Sequence, residues 1–95
     1  MIAVFAKCTV VKGKEKEFLD LAHNLAQKSR EENANISYDV LCEKDKSLNE
    51  FYFLEKWQDK KALDLHMQTE HFVKTIEAVN KIIDGELEIH LYENV

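Results

Sequence analysis

The chain contains no proline and only two glycines among its 95 residues. Without proline there is no Pro-rich linker, and no repeat or low-complexity tract divides the chain. Residues 1–95 therefore read as one domain. Gly13 and Gly85 lie far apart, so no glycine-rich phosphate loop can form and a nucleotide cofactor has no visible cradle. Cysteine is almost as scarce. Cys8 and Cys42 make no CxxC pair, and without a secretory leader they read as small hydrophobes packed in strands of a protein kept in a reducing cytoplasm. Positive charge is in deficit, with 13 Lys and Arg against 18 Asp and Glu and a formal net charge of −5. No basic stripe is available to neutralise phosphates, which excludes nucleic acid as a partner. No apolar run approaches the roughly 20 residues that span a bilayer, which excludes a membrane partner. The opening Met1-Ile2-Ala3-Val4-Phe5-Ala6 is apolar, but it lacks a basic flank and Lys7 interrupts it, so it reads as a strand rather than a signal peptide.

What is present is a hydrophobic fraction of 45%, too high for a disordered chain. Residues 2–11 alternate as a strand whose two faces are both largely apolar. Gly13 punctuates its end. Phe18, Leu21, Ala22 and Leu25 then form one apolar stripe at helical spacing, and Asn33-Ala34-Asn35 ends that helix. Ile36–Glu43 and Asn49–Trp57 read as a hairpin joined by the polar turn Lys44-Asp45-Lys46-Ser47. Ile36, Tyr38, Val40 and Cys42 share a face of the first arm; Phe51, Phe53, Glu55 and Trp57 share a face of the second. Asp59 is placed to cap a short helix carrying His66, and Thr69 to cap another that runs through Ile83 and stops at Asp84-Gly85. Leu87, Ile89 and Leu91 alternate with Glu88, His90 and Tyr92 in a last strand. The order is strand, helix, strand, strand, broken helix, strand. That is the α+β, ferredoxin-like βαββαβ pattern, with helices over one face of an antiparallel sheet. The second apolar sheet face calls for sheet-on-sheet homodimerisation.

Candidate functional residues cluster between Asn49 and Phe72. Trp57, the only tryptophan, reads as core or as a pocket wall beside the helix carrying His66. His66 and His71 are five apart across a break, not the i, i+4 spacing of two ligands on one helix face, so the spacing points away from a metal. His66 is a candidate general base, because an imidazole titrates near neutrality. The structural alternative for both histidines is a bridge from the helix break to backbone groups. Glu55 is a polar residue in an apolar row; it is either buried and partnered or, the simpler expectation, exposed at a strand end. His23 reads as a partly exposed helix residue.

Glu55-Lys56-Trp57, then Ala62-Leu63, then His66-Met67-Gln68-Thr69-Glu70-His71-Phe72 resembles the signature of the antibiotic biosynthesis monooxygenase (ABM) domain family, E-x-W, A-L, H-x-x-T-P-H-[FMY]. Lys12-Gly13 and Asn35 with Tyr38-Asp39-Val40 also fit. Glu70 replaces the usual proline and Ala34 the usual glycine, both at turns. The resemblance implies a dimeric α+β barrel of two ferredoxin-like protomers. It implies oxidation of a small quinol or phenol by O2 with no metal or other cofactor. Trp57, Phe53 and Phe72 would then supply apolar walls, Tyr38 and Glu55 further substrate contacts, His66 the base, and His71 the order of that region. Haem degradation, known in one branch of the family, is disfavoured: the first strand has no asparagine and residues 72–83 no histidine. Two alternatives stay open. One is a non-catalytic dimeric ligand-binding module. The other is an isomerase for a phosphorylated autoinducer-2-like signal, with Lys7 and Lys56 at the pocket mouth.

Overall fold

The computed structural model describes residues 1–45 and 49–95, so part of the expected hairpin turn, Lys46-Ser47, lies outside the described residues. The element order is β1 (Ile2–Thr9), α1 (Glu15–Arg30), β2 (Asn35–Cys42), β3 (Glu50–Trp57), α2 (Lys60–His66), α3 (Glu70–Asn80) and β4 (Glu88–Glu93). The four strands form one antiparallel sheet in the order β2-β3-β1-β4. This is the ferredoxin-like βαββαβ arrangement that the alternation predicts.

Strand alternation decides which side chains meet the helices. On β1, Val4, Ala6 and Cys8 point into the core, and on β3 Phe51, Phe53, Glu55 and Trp57 do so. Phe18, Ala22, Leu25 and Ala26 supply the facing stripe of α1. Phe18 sits between Phe51 and Phe53, with ring centroids 4.9 and 5.9 Å away. Fully burying one such ring contributes about 1.5–3 kcal/mol. Gly13 turns the chain from β1 into α1 at φ +96°, a left-handed conformation that costs glycine nothing.

Four local expectations are corrected. Ile36 does not share the buried face: a bulge between Asn35 and Ser37 turns it out to solvent. Cys42 is exposed rather than packed, while Cys8 is buried and its thiol is pushed up to about 12 by burial. The third helix stops at Asn80, not at Ile83. Ile82 and Ile83 leave it to tie down the end of β1, through the bond from Val11 N–H to the Ile82 carbonyl and the bridge between Val10 and Ile83. Lys7 and Lys56 belong to the sheet face that no helix covers. Lys7 pairs there with Glu50, and Lys56 is exposed.

That uncovered face is apolar at its centre. Phe5 stacks on Tyr52 at 5.4 Å, Leu54 lies beside them half-buried, and Leu41 and Tyr92 are exposed. On the helix side, Leu91 and Ile89 of β4 pair with Val4 and Ala6 but remain 56% exposed, because the helices stop short of this edge strand. Among the described residues no helix is long and apolar enough to cross a membrane.

Candidate functional site

The site is built where β3 ends and α2 begins. Asp59 caps α2, its carboxylate accepting from Ala62 N–H at 2.9 Å. Seven residues later the helix ends at His66. Thr69 sits astride the break. Its hydroxyl donates to the His66 carbonyl at 2.7 Å and accepts from Phe72 N–H at 3.2 Å. One side chain thereby fixes the last residue of α2 and the first turn of α3, where His71 stands.

His66 is 1% exposed. Its ring packs on Trp57 at 4.4 Å and meets the edge of Phe72 at 5.0 Å. Its Nδ1 lies 2.7 Å from Glu32 Oε2, and His71 Nε2 lies 2.8 Å from the same oxygen. The histidines thus bridge the break to a carboxylate of the segment after α1, not to backbone groups. A carboxylate can only accept, so each of these nitrogens donates to it. Nε2 of His66 has no hydrogen-bond partner among the described residues. Burial lowers the proton affinity of His66, and the hydrogen bond to Glu32 opposes that effect.

The five-residue spacing rules out two ligands on a single helix face, but His66 and His71 stand on different helices. Glu32, His66 and His71 offer donor atoms all within 4.8 Å of one another and could hold a cation. The 2.7 and 2.8 Å separations are hydrogen-bond lengths, so the carboxylate itself engages one nitrogen of each ring in this arrangement.

A second polar group lies on the sheet. Glu55 is buried at 6% exposure, which overturns the expectation of an exposed strand-end residue. The Trp57 indole N–H donates to its Oε1 at 3.0 Å, and Tyr38 is its register partner on β2. Burial raises the carboxyl to about 7, against the opposing pull of Trp57 and Tyr38. Burial and the neighbouring Glu55 also push the Tyr38 hydroxyl well above the ordinary phenol range.

His66, Glu55 and Tyr38 share the wall of a cavity of about 150 Å³ between the sheet and α2–α3. The rest of the wall includes Val4, Phe53, Leu63, Phe72 and Ile76, with Ile89 and Leu91 on the β4 side. Five of the residues picked out from sequence therefore converge: Tyr38, Phe53, Glu55, His66 and Phe72. Trp57 does not reach the cavity. It stands behind His66 and holds Glu55. His71 lies behind Glu32, on a separate polar groove with Lys28 and Lys74. His23 is exposed on α1. Glu32 was not among the sequence candidates. The one hint was an acid just beyond the C-terminal end of α1, where the helix dipole disfavours negative charge and a compensating partner is needed.

This fold recurs in known proteins. The solved structure of a conserved protein from Methanosarcina mazei Go1 superposes with a TM-score of 0.93 at 31% identity, covering 99% of this chain and 92% of the other. The crystal structure of an antibiotic biosynthesis monooxygenase gives 0.92 at 29% identity, covering 100% and 99%. The Bacillus subtilis (strain 168) protein named "Putative monooxygenase YcnE" is 37% identical over 89 residues, 94% of this chain and 93% of that protein. Residues 1–78, which include every element that carries the polar groups of the cavity, match the antibiotic biosynthesis monooxygenase family. The chain belongs to that family.

Proposed function

We propose that the chain is a monooxygenase-like enzyme that oxidises a small phenol or quinol with O2, with the apolar cavity as substrate site and His66 as base. The observation that carries this reading is the imidazole itself: buried, lining an apolar cavity, engaged by Glu32 through Nδ1, and with Nε2 unpartnered among the described residues. Burial keeps the ring neutral and able to accept a proton. A phenolic O–H at Nε2 transfers its proton there, and the Glu32 carboxylate stabilises the imidazolium that forms. The substrate anion is electron-rich and reduces O2 directly. One hydroquinone and one O2 yield one hydroxyquinone and one water, so the substrate supplies all the electrons and no external reductant is needed. Glu55, raised to about 7, is protonated in a large share of molecules at neutral pH and can donate to a second substrate oxygen.

Size narrows the substrate. An apolar cavity of about 150 Å³ accommodates a benzene-sized ring. A single-ring substrate fits this volume, whereas a three-ring anthrone would extend past Ile89 and Leu91 on the exposed β4 side. The family and the name of its relative YcnE support a monooxygenase-like role. The phosphorylated-signal reading loses its cationic candidates, since Lys7 and Lys56 are on the other face of the sheet. The uncovered face around Phe5, Tyr52 and Leu54 supports a homodimer formed through the sheets.

The test is O2 uptake by the metal-stripped protein with single-ring hydroquinones and with anthrones. We expect uptake above the buffer rate with the former, and slower uptake with the latter. No uptake with any substrate would leave the same cavity as a binding module without turnover.

A further inference from the structure

We propose that Glu32 is a positioning residue: by accepting the Nδ1 proton of His66 it makes Nε2 the basic nitrogen offered to the cavity, while the same oxygen holds His71. This rests on the reading of His66 as the base.

A neutral imidazole carries one proton on two nitrogens. With Nδ1 2.7 Å from Glu32 Oε2, the proton belongs on Nδ1. The opposite tautomer would set a bare lone pair against a carboxylate oxygen and bury an Nε2–H with no acceptor among the described residues. Both effects disfavour it, since a buried donor left unsatisfied is costly. Glu32 is itself held in place. Its N–H donates to the Ser29 carbonyl at 3.1 Å and its carbonyl accepts from Asn35 N–H at 3.0 Å. His71 Nε2 fixes the carboxylate from the far side at 2.8 Å. Two elements distant in sequence, the end of α1 and the α2–α3 break, are thereby locked through one oxygen.

The acid is also electrostatically misplaced as a helix residue. Following the α1 C-cap at Glu31, it faces the negative end of the dipole. Its two imidazole partners provide the compensation that the helix does not.

The test is long-range 1H–15N NMR of the histidine rings in the uniformly 15N-labelled protein, wild type and Glu32→Gln, across a pH series. In the wild type we expect His66 neutral with its proton on Nδ1, and His71 bonded through a protonated Nε2. In Glu32→Gln, whose amide can also donate, the Nε2–H tautomer of His66 should appear and the His66 midpoint should fall, because the carboxylate that favours the charged ring is gone. O2 uptake with 1,4-hydroquinone should drop about 10²–10⁴-fold, the range for losing a correctly presented general base. A wild-type His66 protonated on Nε2 would overturn the proposal, as would an unchanged tautomer in a folded Glu32→Gln. If the variant fails to fold, the wild-type tautomer still decides. If the tautomers behave as expected but His66→Ala keeps its turnover, the base reading fails and the positioning role of Glu32 stands.

Discussion

Glu55 and His66 face one cavity, and burial pushes their proton affinities in opposite directions on the pH axis. Burial raises the Glu55 carboxyl to about 7, whereas the unfolded chain releases that proton near 4.5. Between these values the folded state binds more protons, so stability falls as pH rises through the window. The full effect is about 3 kcal/mol. His66 works the other way: its folded proton affinity is lowered, so its contribution is lost as pH falls below 6.5. The two overlap, and only a difference between variants separates them. Glu55→Gln keeps an acceptor for the Trp57 N–H and removes the titration. Relative to wild type it should gain up to about 3 kcal/mol between pH 5 and pH 8 in urea unfolding. Parallel pH profiles for the two proteins would refute the burial cost assigned to Glu55. Trp57→Phe should act on the same carboxyl from the other side. It removes the indole donor at 3.0 Å and should lower stability by about 1–3 kcal/mol at pH 8, with a smaller loss at pH 5 where Glu55 is protonated.

The two short helices owe their placement to their caps. Asp59→Ala and Thr69→Ala should each cost about 1 kcal/mol, read as a lower midpoint in thermal or urea unfolding. Their effects on turnover should differ. Asp59 anchors the end of α2 away from His66, whereas Thr69 also bonds the His66 carbonyl and leads into His71. Thr69→Ala should therefore reduce O2 uptake several-fold more than Asp59→Ala at equal loss of stability; equal losses of turnover would deny Thr69 that positioning part. Both caps were legible in the sequence because cap chemistry is local. So were the four strands, whose alternation survives in Val4, Ala6 and Cys8 and in Phe51, Phe53 and Trp57. What escaped was non-local. Ile36 leaves its face through a bulge defined by pairing with β3. Ile82 and Ile83 continue the apolar helical period but are claimed by the end of β1. Glu55 looked exposed because nothing local announces that Tyr38 will be its cross-strand partner. Glu32 lies 34 residues from His66 and 39 from His71, beyond the reach of any periodicity. Of the cavity, the aromatic walls and His66 could be read from sequence; the carboxylate that orients the imidazole could not.

The whole molecule leaves one sheet face without helices, and its apolar centre is the proposed dimer contact. Sedimentation should give a species of about twice the 11.1 kDa chain mass. Leu54→Lys places a charge at the middle of that face and should yield a folded monomer; a wild type that sediments as a monomer at micromolar concentration would remove the dimer from consideration. The cavity lies on the opposite side of the sheet, so the chemistry depends on its own residues. The most direct measurement is the rate of O2 uptake by His66→Gln against wild type with a single-ring hydroquinone, alongside binding followed by the fluorescence of Trp57. Loss of about 10²-fold or more in rate, with affinity kept within a few-fold, is the expected result for a base at Nε2. A variant that consumes O2 at the wild-type rate would contradict it.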